Sequence, residues 1–231
     1  ASNTGIVEGN AIGIRGFECS IDGASFSTCT SPLELKALVD GAHTIEVRSS
    51  DNVGNKDPSP SSFNWAVDTV PPVTSINSAT DGNKSTITNG SNTRSTSVIF
   101  SFSANDTGGV GVDHFECNID GLNFVTCTSP FTFPKLLKDG AHTFKVLSED
   151  KVGNKGSSPA SFTWTIDTVP PTTTINSAID GNKSTVTNGG NTKSTSMTFT
   201  FSGTDVGAGV DHFECSLDGA SFSTCTSPVQ F

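Results

Sequence analysis

The chain has 231 residues, a formal net charge of −10 and a hydrophobic fraction of 33%. So acidic a chain repels nucleic acid and anionic membrane surfaces, and it has no apolar run of about 18 residues for insertion into a bilayer. Its 23 glycines and 11 prolines, spread among serines and threonines, predict short strands joined by turns and therefore an all-β fold.

A repeat organises the chain. The block FECSIDGASFSTCTSP begins at Phe17 and recurs with few changes at Phe115 and Phe213, a spacing of 98 residues. A second block, DGAHT, begins at Asp40 and recurs at Asp139. Solenoid repeats have periods of about 20 to 50 residues, so this longer period predicts that each repeat unit is a domain.

The one complete copy has the pattern of a seven-strand sandwich. In chain order the predicted strands span residues 73–76, 97–103, 114–119, 124–128, 131–135, 142–148 and 161–166. Apolar residues alternate along the second strand, with Phe100 and Phe102, and along the last, with Phe162 and Trp164. We expect these rows to form the core between two sheets, with Trp164 as its largest member.

This pattern predicts three domains. Residues 70–168 form a complete middle repeat. Residues 1–69 form a first repeat without recognisable first and second strands, and residues 169–231 form a third repeat without the last two strands. A neighbouring chain or further sequence would complete the third repeat. Pro71–Pro72 and Pro170–Pro171 restrict the backbone between repeats, so we expect short, stiff linkers.

The cysteines form three pairs with a spacing of ten residues: Cys19 and Cys29, Cys117 and Cys127, and Cys215 and Cys225. If the first hairpin turns on residues 23–25, the two cysteines of the pair lie opposite each other, at a distance that suits a disulfide. We therefore predict three local disulfides and an oxidising compartment. Zinc is the weaker alternative because the pairs lack CxxC spacing.

No catalytic site is predicted, and we expect the chain not to be an enzyme. The sequence has no Gly-x-Ser-x-Gly elbow, Walker loop, HExxH motif or Rossmann glycine pattern. The four histidines recur with the repeat, His43 with His142 and His114 with His212. We interpret them as surface residues beside turns.

Acidic residues gather at the predicted joints between repeats. At the first joint, Asp68 lies in the linker, Asp106 follows the second strand, and Asp150 and Asn154 precede the last strand. Because these segments lie at one end of a sandwich, their oxygens predict a calcium site. The equivalent positions elsewhere are Asp167, Asp205, Asp51, Asn55 and, in place of Asp106, Glu8. The alternative is that these residues only cap their own turns.

Sequons for N-linked glycosylation occur at Asn83, Asn89, Asn105 and Asn182. Chance matches are common in a chain so rich in Asn, Ser and Thr. The alternative is therefore that the four sequons occur by chance.

The motifs FEC-S-x-DG, DG-x-HT-x-x-V and F-x-W-x-x-DT-x-PP together resemble the immunoglobulin-like tandem repeats of large bacterial and archaeal cell-surface proteins of the adhesin type. The resemblance implies tandem seven-strand immunoglobulin-like sandwiches with Pro-Pro linkers, at a cell surface or in a secreted filament. It implies a structural or adhesive role in a stalk, filament, biofilm or matrix layer. Implied partners are copies of itself, adjacent modules and surface glycans, with calcium beside Asp68 and Asp167.

Two other functions stay open at this point. The chain could be a glycan- or protein-binding module that uses its inter-strand loops, or an accessory domain of a secreted enzyme. The loop sequences VDHFEC and VGNK hardly vary between copies. Such uniformity favours a structural role, because a recognition array diversifies its contact loops.

Overall fold

The computed structural model describes residues 13–133 and 135–231. Every regular element in these residues is a β-strand, so the all-β prediction is confirmed. Within these ranges no helix has the length and apolar character needed to span a bilayer. Predictions that involve Glu8 or Pro134 lie outside the described residues.

From residue 13 onward, where the structure describes it, the first repeat forms one antiparallel sheet. Its strands are β1 (Ile14–Ile21), β2 (Ser27–Cys29), β3 (Gly41–Asp51) and β4 (Ser61–Val67), in the order β2-β1-β3-β4. Pairing of β3 with β4 places Ile45 opposite Phe63 and His43 opposite Trp65. Because side chains alternate along a strand, these four share one face, on which Phe63 is 67% exposed.

The middle repeat has two sheets. Its strands in the described residues are β5 (Val73–Asp81), β6 (Thr86–Ile87), β7 (Asn92–Thr93), β8 (Val98–Asn105), β9 (Val112–Ile119), β10 (Val125–Cys127), β11 (Phe131–Thr132), β12 (Gly140–Asp150) and β13 (Ala160–Ile166). One sheet has the order β10-β9-β12-β13-β7 and the other the order β11-β8-β5-β6. Seven of these strands overlap those that the sequence predicts.

The two additional strands, β6 and β7, lie where the sequence predicts only a connection. Strand β7 pairs in parallel with the edge of β13, where Asn92 lies opposite Thr165. This segment is rich in Asn, Thr, Ser and Gly and has no apolar alternation. Strand β6 is defined by a short hairpin with β5, and β7 by its pairing with the distant β13. Neither pairing has an apolar pattern in the sequence, which is why sequence patterns missed both strands.

The third repeat is split between two sheets. Its strands are β14 (Thr172–Asp180), β15 (Met197–Thr204), β16 (Phe213–Cys215), β17 (Ser223–Cys225) and β18 (Val229–Gln230). Strands β14, β15 and β18 form one sheet in the order β14-β15-β18, and β16 with β17 forms a separate hairpin.

The chain divides into two compact units. The first contains the chain up to Thr74 together with Ala104–Phe115 and Leu147–Pro159. The second contains Ser75–Ser103, Glu116–Val146 and Ala160–Phe231. The predicted domains 1–69, 70–168 and 169–231 stay a prediction.

An aromatic core lies in the second unit. Phe100 of β8 stacks on Phe144 of β12 with ring centroids 4.1 Å apart, and its ring lies 5.3 Å from that of Trp164 of β13. These three side chains are 2%, 0% and 1% exposed. The two sheets of the middle repeat therefore pack face to face through these rings, and the predicted core rows are confirmed.

The three predicted disulfides are present: Cys19–Cys29, Cys117–Cys127 and Cys215–Cys225, each with Cα atoms 5.8 Å apart. The predicted register is wrong, however. Cys19 lies opposite Ser27, and Cys29 lies opposite Phe17, so the bridge joins diagonal positions of the hairpin. The hairpin β16–β17 has the same offset.

The turn explains this register. Asp22 and Gly23 both have positive φ, 51° and 75°, and the N–H of Ala24 donates to the carbonyl of Ile21 at 2.9 Å. These are the features of a two-residue Asp-Gly hairpin turn. The chain therefore reverses earlier than the predicted turn at residues 23–25. The two-residue turn alone would place Cys19 opposite Phe26, and one additional residue in the returning segment moves the partner to Ser27.

Candidate metal centre

The carboxylates of Asp68, Asp106 and Asp150 converge in the first compact unit. Each offers one oxygen, and the three oxygens lie within 4.8 Å of one another. Asp68 directly follows β4, Asp106 directly follows β8, and Asp150 ends β12. The structure thus brings together three acidic residues that the sequence places on separate segments.

Asp68 is bound on both sides by loops of the middle repeat. Its Oδ2 accepts a hydrogen bond from the N–H of Val110 at 2.9 Å. Its main-chain carbonyl accepts one from Nδ2 of Asn154 at 3.0 Å. The linker residue is therefore attached to the loop after β8 and to the loop after β12.

Asp150 organises the loop that follows β12. Its Oδ1 accepts hydrogen bonds from the N–H groups of Val152 and Asn154, both at 2.9 Å, and its Oδ2 accepts one from Nδ2 of Asn154 at 2.7 Å. Burial, at 2% exposure, raises the pKa of Asp150, but these hydrogen bonds outweigh it and hold the pKa below its usual value. The cluster therefore contains a buried carboxylate that stays ionised.

One carboxylate oxygen of Asp106 has no hydrogen-bond partner. Oδ2 accepts from the N–H of Gly111 at 2.7 Å, whereas Oδ1 is buried without a donor. A Cβ at Gly109 would overlap this carboxylate, so any other residue there would displace it. A buried, unpaired carboxylate oxygen is costly unless a cation neutralises it. The donor set therefore fits a hard cation such as calcium.

The next joint repeats part of this arrangement. Asp167 Oδ2 accepts from the N–H of Ala208, and Asp205 Oδ2 accepts from the N–H of Gly209 at 2.7 Å. Hydrogen bonds from Ala208 and then Val169 hold the pKa of Asp167 below its usual value. Asp205 Oδ1 is again buried without a partner. The unpaired oxygen thus recurs at the same repeat position.

In the first repeat the equivalent loop caps itself. Asp51 Oδ1 accepts from the N–H of Asn55 and Oδ2 from its side-chain amide, both at 2.8 Å. These bonds, with the side-chain bond foremost, lower the pKa of Asp51. The contacts match those between Asp150 and Asn154, so turn capping is one role of this pair in both repeats.

A second contact on the linker was missed by sequence analysis. Thr69 donates from its N–H and from its hydroxyl to Asp40 Oδ1, each at 3.0 Å. Thr168 makes the same two bonds to Asp139 at 3.2 and 2.9 Å. A sequence signal for this contact exists, because the Asp of DG-x-HT and the Thr of DT-x-PP recur together in both repeats. The two motifs are far apart along the chain, however, so no local pattern connects them.

The four sequon asparagines are all exposed. Asn89 accepts with Oδ1 from the N–H of Thr163 at 2.7 Å, and Asn105 donates from Nδ2 to Thr107 Oγ1 at 2.8 Å. Asn83 and Asn182 lie in the turns after β5 and β14. Glycosylation stays a prediction.

His43 forms a buried bridge, so its interpretation as a surface residue is wrong. It is 5% exposed, with Nδ1 2.8 Å from Asp22 Oδ2 and Nε2 2.8 Å from the carbonyl of Val39. Both partners are acceptors, so the ring makes both hydrogen bonds only when the imidazole is protonated. The ring also stacks on Trp65, with centroids 5.5 Å apart. His142 makes the equivalent bridge, with an acceptor 2.7 Å from each nitrogen.

We expect the first repeat to lose stability as the pH rises above about 6.5. The hydrogen bonds to Val39 and then to Asp22 raise the pKa of His43. A group whose pKa is raised by folding stabilises the folded state fully at a pH below its pKa in the unfolded chain. This stabilisation is lost as the pH rises through the pKa in the folded chain. The pKa of Asp22 is lowered by its bonds to Thr44 and His43, so this residue contributes above about pH 4.

Melting temperatures measured between about pH 5 and 9 check this expectation. His43→Gln should remove the part of the alkaline loss of stability that belongs to the first repeat. His114→Gln serves as the control for the loss of an imidazole: Nδ1 of His114 contacts the adjacent Asp113, and the ring lies near Glu116 and Glu149 instead of forming a buried bridge between two acceptors. An unchanged pH profile in His43→Gln would contradict the role of the bridge.

No protein-family model and no curated protein matches this chain. Among solved structures, it is similar to the fibronectin(III)-like modules of Clostridium thermocellum CbhA, with 14% identity, a TM-score of 0.34, and coverage of 69% of this chain and 81% of that chain. The extracellular domain of a candidate one component system from B. thetaiotaomicron has 10% identity, a TM-score of 0.34, and coverage of 64% and 26%. A tetra-tandem repeat in the extending region of a large adhesion protein has 14% identity, a TM-score of 0.29, and coverage of 95% and 67%. Likenesses at this level assign neither a family nor a function.

Proposed function

We propose that the chain is a non-catalytic structural or adhesive segment of an extracellular array of seven-strand immunoglobulin-like sandwiches joined by Pro-Pro linkers. The observation that carries this proposal is the joint at Asp68. There, a linker residue is bound by two loops of the following repeat, and its neighbour Thr69 is bound to Asp40 of the preceding one. A linker that is hydrogen-bonded to both repeats carries a pulling force from one repeat to the next. We therefore infer that the segment serves as a mechanical connection.

The disulfides support a location outside the cell. All six cysteines are paired. Disulfides persist in oxidising compartments and are rare in the cytosol. We infer a cell-surface or secreted-filament location, with copies of the chain, adjacent modules and surface glycans as partners.

Calcium at the joint is the second part of the proposal. Asp68, Asp106 and Asp150 would hold the ion, since their oxygens are close enough to share one cation. The unpaired Oδ1 of Asp106 supports this assignment. Asn154 positions Asp68 and Asp150 through Nδ2. Asp167 and Asp205, whose side chains interact, would offer part of a second site. The bound ion would supply the positive charge that the clustered carboxylates need.

We expect calcium to raise the melting temperature by several degrees and a chelator to reverse the change. An ion that binds only the folded chain stabilises it by about 2.7 kcal/mol at a concentration 100 times its Kd. In a chain of this size that is a shift of roughly 5 to 10 °C. Thermal denaturation with calcium, and with chelator, measures it. A melting temperature indifferent to both would remove calcium from the proposal.

Asp106→Asn tests whether this cluster is the site. The substitution should abolish most of the calcium-dependent shift. Without calcium it should leave the melting temperature unchanged or raise it, because it relieves repulsion between carboxylates. Asp113→Asn is the matched control, since Asp113 is exposed and lies outside the cluster. Equal calcium responses in the two variants would place the ion elsewhere.

A further inference from the structure

Strands β9 and β12 of the middle repeat carry a second group of side chains that can bind a metal. Its members are His114, Glu116 and Glu149. Each offers one ligand atom, and the three atoms lie within 4.8 Å of one another. All three residues are half-buried. One imidazole and two carboxylates in this arrangement match the nitrogen and oxygen ligands that zinc takes in proteins.

The sheet holds the three side chains on its outer face. His114 and Glu116 are two positions apart on β9, so they project from the same side of that strand. Glu149 lies on β12 between the buried residues Ser148 and Asp150, so it faces away from the core. Strands β9 and β12 are hydrogen-bonded neighbours in this sheet. Ligands on paired strands are held in place before the ion binds.

A carboxylate orients the imidazole. Nδ1 of His114 lies 2.9 Å from Oδ2 of the adjacent Asp113. A contact of this kind fixes the proton on Nδ1 and leaves Nε2 for a metal ion. The arrangement recurs in the third repeat, where Nδ1 of His212 lies 2.8 Å from Asp211 and Nε2 lies 3.9 Å from Oε1 of Glu214. The oriented imidazole beside a glutamate is therefore a repeated feature.

The first repeat differs from the middle repeat at two of the three positions. Gly16 and Ser50 lie opposite each other on β1 and β3, at the repeat positions of His114 and Glu149. Neither residue supplies an imidazole or a carboxylate. The two differences thus fall at facing positions, and each introduces into the middle repeat a side chain that can bind a metal.

The charge around the remaining glutamate changes in parallel. In the first repeat, Glu18 accepts a hydrogen bond from Nε of Arg48 at 2.9 Å and one from Nζ of Lys56 at 2.8 Å. The middle repeat has Leu147 at the position of Arg48 and retains the lysine as Lys155. It therefore has two carboxylates and one lysine where the first repeat has one carboxylate and two cationic side chains. A bound dication returns the local charge to that of the first repeat.

We propose that His114, Glu116 and Glu149 form a zinc site on the outer face of the middle repeat. Nε2 of His114 and one oxygen of each glutamate bind the ion, and water completes the coordination. The site is separate from the aspartate cluster at the joint, which offers carboxylate oxygens alone. Either site can therefore exist without the other.

Isothermal titration calorimetry of the intact chain with zinc chloride, in a buffer that contains excess calcium, tests the proposal. We expect saturable binding with a Kd of about 10 µM or tighter. Because the imidazole binds zinc only when it is deprotonated, the affinity should fall as the pH drops below about 6.5. Nuclear magnetic resonance of the isotope-labelled chain should place the largest amide shifts on β9 and β12.

Ligand variants test the assignment residue by residue. His114→Ala removes the nitrogen ligand and should weaken zinc binding by at least about 30-fold, and Glu149→Gln should weaken it by at least about tenfold. Glu34→Gln is the matched control for the loss of a carboxylate. Its side chain is 75% exposed and lies outside the cluster, so zinc affinity should stay within about twofold. The melting temperature without zinc should be the same in all three variants.

Leu147→Arg tests the charge argument. It restores the guanidinium that neutralises Glu18 in the first repeat, so zinc affinity should fall by at least about tenfold. The sheet has room for this side chain, because Arg48 lies 4.0 Å from the ring centroid of Phe26 and Phe124 retains that ring in the middle repeat. Leu147→Met, which alters shape but not charge, is the matched control and should leave the affinity within about twofold.

Three results would overturn the proposal. One is the absence of saturable binding up to about 1 mM zinc. Another is equal zinc affinity in His114→Ala and the unaltered chain. The third is a set of zinc-dependent amide shifts at Asp68 and Asp106 in place of β9 and β12. Failure of the calcium response in the melting experiment would affect none of these readouts.

Discussion

Replacing Phe162 by alanine lowers the free energy of unfolding by about 3 to 5 kcal/mol. The side chain is 8% exposed and its ring lies 5.5 Å from Phe100, on the opposite sheet. Truncation removes buried apolar surface and leaves a cavity between two sheets that relax only in part. Urea denaturation followed by far-ultraviolet circular dichroism measures the change.

Phe63→Ala is the matched control for this result. Phe63 occupies the same repeat position but is 67% exposed, so its truncation should cost less than about 1 kcal/mol. If the two variants lost a similar free energy of unfolding, Phe63 would be part of a buried core, which would contradict its exposure.

Removing the disulfide Cys117–Cys127 by a double substitution to alanine should lower the free energy of unfolding by about 2 to 3 kcal/mol. The bridge closes a short loop, with a sequence separation of 10, and restricts the unfolded chain. Alanine is preferred to serine because Cys117 is 1% exposed, and a hydroxyl there would be buried. Urea denaturation of the oxidised protein provides the measurement.

The same double substitution of Cys19 and Cys29 should cost about as much, because the loop has the same length. In contrast, Phe162→Ala and Phe63→Ala should lower the free energy of unfolding by different amounts. Mass spectrometry without reduction should find three local bridges, and alkylation of native cysteines would contradict them. Markedly unequal costs for the two bridges would indicate that strain or packing, rather than loop closure, sets their contribution.

Much of the candidate site could be predicted from the sequence. Asp68, Asp106 and Asp150 each lie at or next to the end of a strand. In a sandwich these strand ends lie at the same end of the domain. The contact of Thr69 with Asp40 could not be predicted in this way, because the two residues are 29 positions apart and no strand pattern connects them. The buried bridge of His43 was missed for a similar reason, since its two acceptors lie in separate connections, at Asp22 and at Val39.

The sequence by itself determined the repeat, the alternation that forms the strands, and the partner of each cysteine, because all of these depend on spacing along the chain. Only the tertiary structure decided the hairpin register, the pairing of β7 with β13, and the burial of each repeat position. Phe63 and Phe162 illustrate the difference: the same residue at the same repeat position is 67% exposed in one copy and 8% exposed in the other. Alternation determines which face of a strand is apolar, but burial depends on whether a second sheet covers that face.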